Sequence, residues 1–478
     1  MQDINPSLKN FLEISYDRLE EMNLQANEKQ QTGDPKALEE EYRLYLQKEK
    51  SIKAITLCFT DIEGRFHMLD YDKKYLLESD SNLTFDGSSI RGFTALSESD
   101  LRLEIDWSSI VYLPSDIFGG GKIVMFASVL NRDRSSYESD FRSQLKLYVQ
   151  KLQEKEDIKV YSAPETEGFL VEGVGAEQSF DEDIGFKLIS TGGYYHSLPL
   201  DRLRRFIDAS AEAQRAMGFG NEKDHPEVAP SQFELNFGYT EVVRACDQIQ
   251  LYKLVCRQVA NNMGMTATFL PKPIAGINGS GMHTNISLAK DGRNIFYQKD
   301  GVDGLSPLAW DFILKMLNHA PEICLVLNSS VNAYRRLDPH FEAPNQIKVS
   351  PVDRGSMIRI PAGNEKTARI EIRSVAPDAN PYLALYTVLK TGLEGKKLTR
   401  PRGTRERLRF LPGTIYDAIR LFKTSEFVTK ILGQNQQKYL AFKEMVADRS
   451  PKELGSKVKT SEIVYHHEIT NQVLWNNF

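Results

Sequence analysis

The chain has 478 residues, 41% of them hydrophobic and 26% charged, with 60 lysines and arginines against 65 aspartates and glutamates and a formal charge of −5. That composition excludes a disordered, collagen-like or disulfide-scaffold protein, and with no basic excess there is no argument for nucleic acid. At roughly 100–200 residues per domain, the length allows two or three domains.

Residues 1–50 are rich in Gln, Glu, Lys and Leu, with leucines at Leu8, Leu12, Leu19 and Leu24 and a polar break at Thr32–Pro35. This predicts two amphipathic helices joined by a turn, a surface hairpin without chemistry whose leucine spacing suggests packing between subunits. The start, MQDINPSLKNFLEIS, lacks the basic and apolar stretches of an export signal. No apolar run approaches the ~20 residues that span a bilayer. Cys58, Cys246, Cys256 and Cys324 form no C-x-x-C pair and read as reduced core residues of a cytoplasmic protein.

From residue 51 the pattern alternates. AITLCFTDIEGRFHMLDY predicts a β-hairpin turning at Glu63-Gly64, and IVYLPSDIFGGGKIVMFASVL predicts two strands around a glycine-rich turn. Tyr137–Lys155 reads as a charged helix at a boundary. KVYSAPETEGFLVEG reads as a strand pair, and 198–217 and 241–263 as helices. In the second helix Cys246, Ile249, Tyr252, Cys256, Val259 and Met263 form a core-facing stripe. Thr414 with Asp417 resembles a capping box for a helix that Gly433 would end. The expected class is α+β, a small β-rich N-terminal domain followed by a large mixed one.

No Walker loop or G-x-G-x-x-G is present, and Gly119-Gly120-Gly121-Lys122 reads as a hairpin turn. The chemistry lies in acids at strand spacing. Glu165 and Glu167, two apart in PETEGF, share one face of a strand. Glu227 and Glu234 flank APSQF, His283 sits in NGSGMHTNIS, and Glu371 in the alternating ARIEIRS. Burying so many carboxylates requires partners, and an oxygen-rich set with few histidines suits two or more Mg²⁺ or Mn²⁺ ions; solvated strand edges are the alternative. Arg335, Arg336, Arg354, Arg359, Arg369 and Arg373, with Lys366, supply bidentate cations for anions, or alternatively structural Arg–Glu pairs. Metal carboxylates beside arginines are the layout of phosphoryl transfer.

At these residues the chain resembles the bacterial type I glutamine synthetase family. FDGSSIRGF (85–93) followed by ESDLRL, TATFLPKP before NGSGMH (278–283), NAYRRLDPHFEAP, DRGSMIRIP and RIEIRSVAPDANPYL resemble its motifs in order, from about residue 51 to 445. The resemblance implies a helical extension over 1–50, a β-grasp domain over 51–140, and a catalytic domain over 141–478 with a curved antiparallel sheet, the glutamine synthetase/guanido kinase-like fold. It implies a dodecamer of two hexameric rings with active sites between neighbours. It implies ligation of ammonia to glutamate at the expense of ATP, through γ-glutamyl phosphate.

By the same resemblance, Glu167, Glu227 and Glu234 would hold a metal ion near the acid substrate, and Glu165, His283 and Glu371 one near the ATP phosphates. Asn278, Gly279, Arg336 and Arg373 would bind glutamate, and Arg354 and Arg359 the phosphoryl oxygens. Glu222, Ser287, Lys366 and Arg369 match the nucleotide site, and His225 a phosphate-side histidine. Asp86 and Ser89 of a neighbouring subunit would bind ammonium, with Asp86 taking its proton; Tyr194, Glu227 and Glu342 would complete the pocket, Glu342 on a loop that closes over it. Every position that can be matched in the amine pocket is retained, which favours ammonium; the rival expectations are a γ-glutamyl ligase for a polyamine or methylamine, or a non-catalytic paralogue. Gly168, Pro226 and Gly355 depart from the family pattern, as does the tail EIVYHHEITNQVLWNNF, whose His466, His467 and Glu468 read as interface or surface residues rather than metal ligands.

Overall fold

The computed structural model describes residues 14–50, 52–79, 82–90, 93, 100–199, 201–338, 341, 343–398 and 408–468. Leu8, Leu12 and Glu342 lie outside these residues.

Two helices open the described chain, α1 (Tyr16–Thr32) and α2 (Pro35–Lys48). Ser15 caps the first and Asp34 the second, where Ala37 N donates to the carboxylate at 3.0 Å. Their apolar stripe (Leu19, Met22, Ala26, Leu38, Tyr42, Leu46) packs into one core with Leu57, Met125 and Val129 of the following sheet. The buried stripe is therefore spent within the chain, which removes the motive for assigning it to a subunit contact, and Leu24 faces outward.

The N-terminal sheet is ordered β2-β1-β6-β4-β3, from β1 (Ala54–Thr60), β2 (Phe66–Asp72), β3 (Leu83–Asp86), β4 (Asp100–Ile105) and β6 (Ile123–Leu130), with the short β5 (Val111–Tyr112) against β6. A single turn of helix, α3 (Lys73–Glu78), follows β2. The expected hairpin β1–β2 is antiparallel, whereas β1 and β6 run parallel. Between β5 and β6 the chain makes one helical turn, α4 (Ser115–Phe118), before the glycines, where Gly119 (φ 85°) and Gly121 (φ 69°) take positive φ.

The β1–β2 turn docks this domain onto the next. Gly64 has φ 101°, and a Cβ there would lie 2.8 Å from Asn380 Cα. Asn380 Nδ2 in return donates to Asp61 O at 3.0 Å. A second joint centres on Arg142 in α5 (Phe141–Glu156), which is 2% exposed and reaches Asp247 and Asp106 at once.

The large sheet is ordered β14-β15-β16-β12-β7-β9-β8. Its strands are β7 (Lys159–Glu172), β8 (Asn221–Pro226), β9 (Gln232–Phe237), β12 (Met282–Lys290), β14 (Gln346–Ser350), β15 (Ser356–Arg359) and β16 (Ile370–Ile372), with β10 (Thr240–Glu241) and β11 (Met265–Thr268) on β7 and β13 (Arg293–Asn294) on β12. All pairs are antiparallel except β14 with β15. Helices α6 (Arg202–Ala216), α7 (Val242–Asn262), α8 (Pro307–Leu327), α9 (Val331–Arg336) and α10 (Pro381–Glu394) accompany it. Four helices follow: α11 (Ile415–Lys423), α12 (Glu426–Leu432), α13 (Asn435–Asp448) and α14 (Thr460–Val464). The α7 stripe is buried as its spacing predicts from Cys246 to Val259, while Met263 lies just past the helix and is half-buried, and all four cysteines are free and buried.

Three expectations are corrected. The segment KVYSAPETEGFLVE is one 14-residue strand, not two. Pro164 falls between the stretch paired with β10, at Tyr161 and Ser162, and that paired with β9, from Glu167, where a missing donor is tolerated. The helix begun at Thr414 ends at Lys423, because Ser425 caps a new one that Gly433 then closes. His466 and His467 are buried within their own chain, at 2% and 1% exposure, rather than at the surface. No helix among the described residues is long and apolar enough to cross a membrane.

Candidate functional site

Strand register assembles the acids. On β7 the period of two puts Glu165 and Glu167 on one face. Glu165 pairs with His283 of β12, and Glu167 with Glu234 of β9, which in turn faces His225 of β8. Glu371 of β16 stands opposite Arg359 of β15 and Asn285 of β12. The candidate ligands therefore run as a row across five adjacent strands.

They gather into two groups. Glu165, His283 and Glu371 each offer an atom within 4.8 Å of the others, and so do His225, Glu227 and Glu234. Glu167 stands between the groups: its Oε1 is 3.9 Å from His283 Nε2, while its Oε2 accepts from Gly281 N at 2.7 Å and Gln232 Nε2 at 3.2 Å. His225, expected on the phosphate side, instead joins Glu227 (3.6 Å) and Glu234 (4.0 Å).

The electrostatics push two of the carboxyls apart. Burial raises the Glu234 carboxyl well above its ordinary range, and the charges of Glu167, Glu165 and Glu227 add to it. At Glu165 burial acts the same way, but His283, Asn285 and Arg369 more than offset it and hold the carboxyl at about 2. A set of acids that repel one another around a histidine is stabilised by divalent cations, and its hard oxygens suit Mg²⁺ or Mn²⁺. Adding Mn²⁺ at a hundredfold excess over its Kd is expected to stabilise the chain by about 2.7 kcal/mol. Glu234→Gln, which removes one repelling charge, should melt at or above wild type without ions and lose most of that gain; scanning calorimetry with and without Mn²⁺ reads both. A full manganese response in Glu234→Gln would remove this residue from the ion site.

Beside the acids an open cavity with about 410 Å³ of free space is lined by Glu167, Glu227, Asn278, Gly279, Arg336 and Arg373, among others. Arg336 is buried and donates to Val375 O and Arg373 O, and burial brings its guanidinium down to about 10. Close approach explains the glycines of NGSG: a Cβ on Gly279 would lie 2.5 Å from Pro271 O, and one on Gly281 2.5 Å from Arg336 Nη2. Arg359 donates to Glu371 Oε2 at 2.5 Å, and Arg373 Nε lies 3.2 Å from the other oxygen. Ser287 and Lys366 line a separate wide groove with Tyr161 and Tyr239. Arg369 reaches Glu165 through Asn285, at 3.0 Å for each bond. Glu222 is exposed on β8, and Arg354 on the turn before β15.

Asp86 and Ser89 are not brought into the cavity. They sit on the other domain, where Ser88 and Ser89 both donate to the Asp86 carboxylate at 2.6 Å and hold it below its ordinary value. Tyr194 lies beside the second acid group, stacked on Tyr195, with its ring 5.6 Å from that of His225. Gln232 and Asn285 escape the sequence reading although they bind Glu167 and Glu165 directly. Each stands two residues from a predicted ligand, Gln232 before Glu234 and Asn285 after His283, so strand spacing marks both.

Comparison with known proteins agrees with this architecture. Residues 51–132 match the β-grasp domain of glutamine synthetase, and residues 138–455 its catalytic domain. A glutamine synthetase of Thermus thermophilus is 36% identical over 411 residues, 81% of this chain and 90% of its own length. One from Methanosarcina mazei is 37% identical over 84% of this chain and 92% of its own. Among solved structures, a Plasmodium falciparum glutamine synthetase shares the fold, with a TM-score of 0.77 at 22% identity over 87% of this chain and 97% of its own. A chain solved as a GmaS/ADP complex gives 0.74 at 25% identity over 86% of this chain and 96% of its own. The chain thus belongs to the glutamine synthetase family.

Proposed function

We propose that this chain is a glutamate–ammonia ligase, consuming ATP to make glutamine through γ-glutamyl phosphate. The observation that carries the reading is the pair of acid–histidine groups lying side by side, next to a cavity with two arginines on its wall.

In this reading Arg336, Arg373, Asn278 and Gly279 hold glutamate. Glu227 and Glu234, with Glu167 and His225 beside them, would hold one divalent ion, and Glu165, His283 and Glu371 another. Bound there, the ions supply positive charge to the γ-phosphoryl group and to the carboxylate that attacks it. Arg359, aligned by Glu371, and Arg354 meet the charge that grows on the phosphoryl oxygens. A γ-carboxylate oxygen of glutamate forms a bond to the γ-phosphorus as the bond to the ADP oxygen breaks. Ammonia then adds to the acyl carbon and phosphate leaves. Ser287, Lys366, Arg369 and Glu222 are assigned to the nucleotide. Asp86, hydrogen-bonded to Ser89 and presented by a neighbouring copy, accepts the proton of ammonium; Tyr194, Glu227 and Glu342 enclose it. That assignment requires an oligomer, for which we propose two stacked hexameric rings. Four buried thiols suit a cytoplasmic setting.

An amine screen tests the reading. With Mn²⁺ or Mg²⁺, glutamate and ATP, phosphate release should depend on ammonium and exceed that with methylamine, ethanolamine or a polyamine. Faster turnover on an organic amine reassigns the chain to another γ-glutamyl ligase, and no amine-dependent release at all would leave a non-catalytic paralogue.

A further inference from the structure

The last described residues, Tyr465–Glu468, run into the interior. Glu468 accepts from Lys253 Nζ at 2.5 Å and from Arg257 Nη2 at 2.6 Å, both on α7. Lys253 also donates to Pro377 O. Glu468 N donates to His466 Nδ1 at 3.3 Å, so the His466 proton sits on Nε2 and is donated to Asp378 Oδ2, 2.8 Å away. The same carboxylate oxygen accepts from Ser330 Oγ at 2.5 Å. Ser330 is the cap of α9, accepting from Ala333 N at 3.1 Å, and the last residue of α9 is Arg336. Arg336 is braced by the carbonyls of Arg373 and Val375, a few residues before the Pro377–Asp378 pair that the tail holds.

Asp378, His466 and His467 also lie close enough to ligate an ion. Burial, together with the charges of Lys443, His466, Arg65 and Lys253, drives the His467 imidazole well below its ordinary value. Within the cluster His466 and Asp378, with Ser330 and the Glu468 backbone, form a hydrogen-bonded joint.

We propose that the tail around His466 and Glu468 is a positioning element for Arg336, fixing it through Asp378, Ser330 and the first turn of α9 so that the cavity fits the acid substrate. The proposal rests on the reading of Arg336 as a glutamate-binding residue. His466 and Glu468 touch no substrate; they act through the segment that carries the arginine.

The test uses the full chain with His466→Ala, Glu468→Gln and His466→Gln, the last keeping a donor for Asp378. Because misplacing a binding group by about 1 Å can cost up to about 100-fold, His466→Ala and Glu468→Gln should raise the KM for glutamate about tenfold. The KM for ATP should stay within about twofold, and His466→Gln should restore the glutamate value. Equal changes in both KM values, or a lower melting temperature with neither changed, would reduce the tail to a structural anchor and overturn the proposal. If His466→Ala fails to fold, the isosteric Glu468→Gln decides on the same criteria. If wild type turns over no glutamate, the ligase reading falls, and hydrogen exchange decides the inference. Faster exchange at 330–337 and 373–378 in the variants, with the N-terminal sheet unchanged, supports it, and unchanged exchange there overturns it.

Discussion

Glu371→Gln is expected to lower ligase turnover by about 10–100-fold while the chain stays folded. Glu371 is 1% exposed and sits between two guanidinium groups, Arg359 at 2.5 Å and Arg373 at 3.2 Å, with His283 Nδ1 at 3.8 Å. A hydrogen bond to a charged group contributes about 1.5–3 kcal/mol, and Glu371 accepts one, from Arg359, so weakening it costs up to about that much. At about 1.36 kcal/mol per decade, that range corresponds to between about one and two orders of magnitude if it falls on the transition state. The amide also takes away one of the three groups assigned to the phosphate-side ion. Single-turnover phosphate release at saturating Mn²⁺ is the measurement, with a melting curve as the control for folding. Activity within tenfold of wild type would mean that the carboxylate only braces the arginines.

Arg142→Met should cost about 3–5 kcal/mol of stability, because it strips a buried cation from two buried carboxylates. The guanidinium donates to Asp247 through Nε and Nη2, both at 2.8 Å, and to Asp106 at 3.0 Å, and Tyr382 also donates to Asp247. Methionine fills much of the volume but leaves the acids facing each other. Urea unfolding at neutral pH reads the loss; a change under about 1 kcal/mol would show that solvent reaches the joint. The same joint has a pH signature. Burial pushes the Asp106 carboxyl upward, but the Arg142 and Lys146 charges more than offset this and leave it far below its ordinary value. A depressed carboxyl stabilises the fold fully above its unfolded value of about 3.9 and loses that contribution as pH falls below it. Wild type should therefore lose stability more steeply than Arg142→Met between about pH 4 and pH 2.

Much of the site is readable as a period of two: Glu165 with Glu167, His283 and Glu371 all stand on strands where alternation places them, and the arginines of RIEIR flank the last of these strands. What alternation cannot supply is register. Whether Glu234 faces Glu167, and whether His225 joins the same group, is set by which residues pair across β8, β9 and β7. The uncharged Gln232 and Asn285 carry no mark of their own, although their spacing puts them on the ligand face. The tail misled for a related reason. Two histidines and a glutamate read as surface because their partners, Asp378, Lys253 and Arg65, lie far away in the chain, and a buried polar residue declares itself only once those partners are known. Pro164 signals a break unless the strands on one side of it are known to leave that interval unpaired.

His225, Glu227 and Glu234 come from one hairpin, but Glu165, His283 and Glu371 span residue 165 to residue 371 while occupying neighbouring strands, so no stretch of local structure contains that group. Closing such separations costs loop entropy before any contact repays it, which makes assembly late and cooperative. During synthesis Glu165 emerges long before β16, and until that strand docks its group lacks one of its three members. Capture of the ion assigned to that group should then report completed folding of this sheet, and a chain cut between β12 and β16 should lose it even if every carboxylate survives.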